Sequence, residues 1–150
     1  MGLALLAGAM LFTACKKNEE DTDNNTNNTV VPAISVNFDG TTWTTNAPMD
    51  YEDGVFKVFK ASSDADEVMQ FKCAREVGTF GLGDNNNFVV YWDDNDVEYN
   101  TYDPTGAIVI SSIDLTAKTL SATIGASFTL NEGAHPLTAT LTNAKWSEVQ

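Results

Sequence analysis

The sequence predicts an all-β domain, an antiparallel β-sandwich of about eight to ten strands, with a partly closed β-barrel as the alternative closure. Turn signals punctuate the chain at short intervals: Asp39-Gly40, Asp53-Gly54, Gly83-Asp84-Asn85, Asp93 to Asp96, Asp103-Pro104-Thr105-Gly106 and Asn131-Glu132-Gly133. Short runs rich in Val, Ile, Thr, Phe, Tyr and Trp fill the gaps between them. No 12-residue window carries a sustained helical stripe, whereas one long segment alternates with period two.

In chain order, the early strands are Ile34–Phe38, Trp43–Thr45, Val55–Ala61 and Val68–Ala74. Phe88–Trp92 is a continuous apolar run, which predicts a central strand covered on both faces. Val97–Thr101 and Ile108–Ile113 follow. The clearest strand is Lys118–Leu130. Leu120, Ala122, Ile124, Ala126, Phe128 and Leu130 share one parity, and Thr119, Ser121, Thr123, Gly125, Ser127 and Thr129 share the other. One face meets a core and the other meets water. Gly125 in the middle of this long run predicts a bend or bulge. In the last strand, Leu137, Ala139 and Leu141 point inward, but Trp146 has the wrong parity to follow them. A one-residue bulge near Asn143-Ala144 would return it to the core.

Two segments precede the domain, which is read as residues 32–150. Residues 1–14, MGLALLAGAMLFTA, are uncharged and apolar or small. As a helix they would reach about 21 Å, short of the roughly 30 Å hydrocarbon core, so a signal peptide is the expectation. No Lys or Arg precedes the run, which suggests that the natural signal starts further upstream. Residues 15–31, CKKNEEDTDNNTNNTVV, are polar and charged, and they read as a flexible tether with an end-to-end distance of about 20–24 Å.

Leu11-Phe12-Thr13-Ala14-Cys15 resembles the lipobox of bacterial lipoproteins, which implies acylation at Cys15. Lys16-Lys17-Asn18-Glu19-Glu20-Asp21 resembles the stretch after that cysteine in surface-exported Bacteroidetes lipoproteins. Three further pieces resemble small uncharacterised Bacteroidetes lipoproteins with an all-β domain. They are Ile34-Ser35-Val36-Asn37-Phe38-Asp39-Gly40-Thr41-Thr42-Trp43, Gly106 to Asp114 leading into Leu120 to Thr123, and Leu141-Thr142-Asn143-Ala144-Lys145-Trp146-Ser147. Such relatives often carry Gly-Thr-Phe at Ala122-Thr123-Ile124 and Asn-Gly at Asn143-Ala144. The resemblance implies an outer-membrane location, on the cell surface or the periplasmic face, with the membrane as partner. It implies no activity.

Composition narrows the functional classes. Eight Lys+Arg against 21 Asp+Glu give a net charge of −13, which argues against a nucleic-acid partner. Two cysteines and one histidine leave no disulfide framework and no cysteine- or histidine-rich metal site. His135 is the only histidine available to a Ser-His-Asp triad. No Gly-x-Ser-x-Gly elbow exists, so a solvated loop histidine is expected. Cys73 shares parity with Met69 and Phe71, which places it in the core.

The acidity is uneven. Residues 50–103 hold 13 acids and four bases, whereas residues 104–150 hold three acids and two bases. Trp92, Asp93, Asp94, Asp96 and Glu98 form the candidate ligand-binding turn. Asp94-x-Asp96-x-Glu98 opens like an EF-hand loop, but Tyr99 stands where Gly is required and Thr105 where Glu is required. The turn therefore reads first as a solvated Asp/Asn turn. A calcium or glycan site, or a carboxylate-dependent hydrolase, are the alternatives. Trp92 is the tryptophan expected at the surface, whereas Trp43 and Trp146 are expected inside. No cofactor, metal or catalytic residue is assigned. The expected role is a non-enzymatic binding or structural accessory in the cell envelope, with a protein or glycan partner.

Overall fold

A computed structural model describes residues 33–60, 67–83, 86–100, 105–131 and 133–150. The expected signal peptide, tether and Cys15 lie outside the described residues, as do Asp84-Asn85, Asp103-Pro104 and Glu132 of the turn signals.

The chain is all-β. The strands are β1 (Ala33–Phe38), β2 (Thr41–Thr45), β3 (Met49–Glu52), β4 (Val55–Phe59), β5 (Val68–Lys72), β6 (Gly78–Gly81), β7 (Phe88–Trp92), β8 (Glu98–Asn100), β9 (Gly106–Asp114), β10 (Thr119–Leu130) and β11 (Gly133–Glu148). They form one mixed sheet that is not closed into a barrel. Two layers fold face to face. One is ordered β6-β9-β10-β11-β1-β2, and the other runs β3-β4-β5-β7-β8. The end of β11 joins the second layer through a parallel pairing, Trp146 with Met49 and Glu148 with Tyr51. That pair corrects the purely antiparallel expectation, and the described residues hold eleven strands. Sequence reading missed β3 and β6. Met-Asp-Tyr-Glu alternates over only four residues and Gly-Thr-Phe-Gly has a single large apolar side chain, so neither stands out as a strand, and their neighbours impose the extended conformation.

The hairpin turns follow from local chemistry. Asp39 (φ 48°) with Gly40 (φ 81°), and Asp53 (φ 51°) with Gly54 (φ 87°), place both central residues in the left-handed region, as a type I′ turn requires. They close the β1–β2 and β3–β4 hairpins. Between β9 and β10, Asp114 Oδ1 accepts from the amides of Thr116 and Ala117, each at 2.8 Å.

β11 serves both layers because it bulges. Leu120 stands opposite Ala144 and Ala122 opposite Leu141, so Ser121 faces one residue too many. Asn143 takes the strained position (φ 45°), its amide donates to Ser121 Oγ at 2.9 Å, and Ala144 and Trp146 turn back into the core. The expected bulge is present where the parity of Trp146 demanded it. A second register shift lies on the other side of Ser121, in β9, where Ser111 Oγ donates to Ser121 O at 3.1 Å. The two bulges therefore flank one residue of β10, and extra residues on both neighbours increase local twist there. No bulge occurs at Gly125, which keeps register with Ala107 and Thr138. Its significance is a close approach instead. A Cβ on Gly106 would fall 2.3 Å from Gly125 O, so the chain enters β9 hard against β10.

The core takes inward residues from both layers. Phe38 stacks on Tyr91 with centroids 4.2 Å apart, and Trp146 meets Phe56 edge-on at 5.6 Å. Trp43 and Trp146 are buried as expected. β7 departs from expectation. It lies next to the short edge strand β8, and only Val89 and Tyr91 face the core, while Phe88, Val90 and Trp92 are half-buried on the outer face. A continuous apolar run here reflects a partly covered outer face and not a central position.

Candidate functional site

Elements distant in sequence converge on a cleft of about 230 Å³ at one end of the sandwich. It is lined by Phe38 and Asp39, Thr41, Glu67, Tyr91, Asp93 and Asp94, and Tyr99. The β1–β2 turn supplies Asp39, the residue preceding β5 supplies Glu67, the end of β7 supplies Tyr91 and the acidic turn, and β8 supplies Tyr99.

Glu67 is the polar residue buried among the described residues, at 8% exposed. It has the inward parity of Met69 and Phe71, so burial forces its carboxylate to find donors. Tyr91 OH donates to Oε2, and Lys60 Nζ pairs with Oε1. Trp43 Nε1 donates in turn to Tyr91 OH at 3.2 Å. The result is a chain of polar groups running from Trp43 through Tyr91 to Glu67 and Lys60. Burial, then the bond to Glu67, holds the Tyr91 phenol well above its ordinary range.

The acidic turn is built on Asp93. Its Oδ1 accepts from the amides of Asn95 (2.9 Å) and Val97 (3.0 Å), and its Oδ2 accepts from Tyr99 OH at 3.3 Å. Burial first, and then the Asp93 carboxylate, raise the Tyr99 phenol. This is Asx-turn chemistry, with the carboxylate standing in for a backbone acceptor. Asp94 accepts from Asn95 Nδ2 at 2.8 Å, and Glu98 accepts from Asn100 Nδ2 at 3.1 Å. Asp94, Asp96 and Glu98 are exposed. Asp93 and Asp94 thus reach the cleft, whereas Asp96 and Glu98 do not line it, and Trp92 lies on the opposite face of β7 from Tyr91. Among the described residues, no group of three or more His, Cys, Asp or Glu could hold a metal ion.

His135 corrects its expectation. It lies in β11, half-buried, with Nδ1 2.5 Å from Asp39 Oδ2 and its ring 5.0 Å from that of Tyr99. The Gly-Ala-His-Pro segment reads as a loop because of Pro136. That proline fits the strand because β1 has already turned away beside it: Phe38 is opposite Leu137, and Asp39 N donates to Pro136 O at 3.0 Å.

Sequence reasoning missed Asp39, Lys60, Glu67, Tyr91 and Tyr99. The parity of Glu67 with Met69, Phe71 and Cys73 was the available signal, since an inward glutamate requires a partner.

The conserved model that fits this chain is Domain of unknown function (DUF6252), matched over residues 30–145. The chain belongs to the DUF6252 family. Every described strand up to the bulged corner of β11 falls within the matched span. No curated protein and no solved structure matches the chain.

Cys73 is buried as expected, and burial pushes its thiol up from 9.0 to about 11. The sign follows from linkage. Between pH 9 and 11 the unfolded thiol ionises while the folded one keeps its proton, so stability present below pH 9 is lost as pH rises. The loss should be on the order of 2 kcal/mol. Urea unfolding at pH 8 and pH 11 should show a smaller alkaline loss for Cys73→Ala than for the parent. Equal losses would mean that the thiol is not buried.

Proposed function

We propose that this DUF6252 chain is a lipid-anchored module of the outer membrane, held through acylated Cys15, that acts as a binding or structural accessory and not as an enzyme. The anchor rests on the lipobox-like Leu11 to Cys15 and the polar tether. The observation that carries the non-catalytic reading is the employment of the cleft's ionisable groups. Glu67 is occupied by Tyr91 and Lys60, Asp39 by His135, and Asp93 by two amides and Tyr99. A general acid or base needs a free proton position facing substrate, whereas these carboxylates hold turns and a core together.

A second reading takes the cleft as a glycan or calcium site, favoured by Asp94 and Thr41, both exposed, at its mouth. Titrating calcium and a glycan panel, with tryptophan fluorescence and melting temperature as readouts, separates the two. No response supports an accessory working by protein contact, and a saturable response abolished by Asp94→Ala supports the cleft site. Intact mass of the native protein tests the anchor. Acyl chains on residue 15 support it, and an unmodified thiol behind an uncut leader overturns it.

A further inference from the structure

We infer that β2 is a self-pairing edge, through which two copies of this chain join their first layers into one continuous antiparallel sheet. β2 pairs only with β1 among the described residues, so no described strand satisfies the backbone groups on its other side. Sheet edges are normally blunted by charge, proline, a bulge, brevity or a covering segment, and glycine weakens a strand. The other two edges show such devices. β8 has three residues and an exposed Glu98, and β6 is bounded by Gly78 and Gly81. β2 contains no charge, proline, glycine or bulge. Thr41-Thr42-Trp43-Thr44-Thr45 carries no charge in a chain of net charge −13.

Two features commit the occupant to a second copy. First, the strand reads the same in both directions about Trp43. An antiparallel two-fold through Trp43 sets Thr42 against Thr44 of the second copy and Thr44 against its Thr42. Directly opposed threonines are favourable cross-strand pairs, and opposed like charges, which would forbid the arrangement, are absent. Second, the hydrogen-bond phase agrees with that register. The type I′ turn at Asp39-Gly40 makes Phe38–Thr41 the hydrogen-bonded closing pair. Alternation along the ladder then turns the N–H and C=O of Trp43 toward β1, and those of Thr42 and Thr44 outward. The two-fold register joins these outward residues and forms four bonds. Thr42 and Thr44 are exposed and Trp43 is buried, so the pairing extends both the hydroxyl face and the core face of the layer. The interface is isologous and therefore closes at two copies.

Like net charge opposes the association at long range, and salt screens that repulsion. Analytical ultracentrifugation of the full chain in detergent should show a species of twice 16.2 kDa, more populated at high ionic strength than at low. Thr44→Pro removes one outward donor per copy at an edge position that tolerates proline, and should weaken the dimer by about tenfold or more. Thr44→Val keeps the donor and should leave the dimer in place. Should Thr44→Pro fail to fold, the Thr42→Lys, Thr44→Lys double variant sets lysine opposite lysine with the backbone intact, and should be monomeric. A parent chain that stays monomeric up to about 1 mM overturns the inference. So does a dimer that persists in a folded Thr44→Pro variant or in the lysine variant.

Discussion

Trp146→Ala is expected to lower the unfolding free energy by about 3–5 kcal/mol, the range for truncating a large buried aromatic. Trp146 is 3% exposed and packs edge-on against Phe56. Its indole Nε1 has no hydrogen-bond partner, so truncation removes packing and leaves no acceptor stranded. The position magnifies the loss. Trp146 follows the Asn143 bulge and stands opposite Met49 where β11 meets β3, so it fills the corner joining the layers. Trp146→Phe, which keeps a ring there, should lose much less. Trp92→Ala, on the half-buried outer face of β7, should cost under about 1 kcal/mol. Urea denaturation of the three variants checks the order. A Trp146→Ala loss below that of Trp92→Ala would remove the corner from the core.

The same tryptophan shows what the sequence could and could not reveal. Alternation in β10 and β11 was legible because one face is wet and the other dry over many residues. The break in parity at Trp146 therefore located a bulge. The bulge in β9 left the same kind of signal, because Ile108 and Ile110 share one parity and Ile113, which also packs on the core, has the other, but the apolar Val109 on the outward parity blurs it. The parallel β11–β3 pair was invisible for a different reason. Met-Asp-Tyr-Glu alternates over only four residues, too few to stand out, and its partner is settled by where the bulge sends the end of β11. The candidate site divides in the same way. Local composition marked the acidic turn, and Asp93 and Asp94 do reach the cleft. Composition could not foresee that Asp39 and Glu67, remote in sequence, would join them, because that depends on how the layers stack. Trp92 is on the outer face of β7, as expected for the most exposed tryptophan, but adjacency to the turn says nothing about which face a side chain takes, and Trp92 does not line the cleft.

The buried polar chain yields a test in which two substitutions should be gentler than one. Tyr91→Phe removes the hydroxyl that donates to Glu67 Oε2 and accepts from Trp43 Nε1. Both groups lose that partner inside the fold, and the expected cost is about 2–4 kcal/mol. Glu67 suffers more, because a carboxylate at 8% exposed has little water to turn to. Adding Glu67→Met to Tyr91→Phe replaces the stranded charge with an apolar side chain of similar length. Lys60, whose side chain is 41% exposed, keeps its contact with water when Glu67 is replaced. The double variant should recover about 1–2 kcal/mol relative to Tyr91→Phe alone, because removing both partners of a buried bond costs less than removing one. A double-mutant cycle by chemical denaturation measures this coupling directly. Simple additivity of the two losses would mean that Glu67 does not depend on the tyrosine, and that its burial is secured by Lys60 alone.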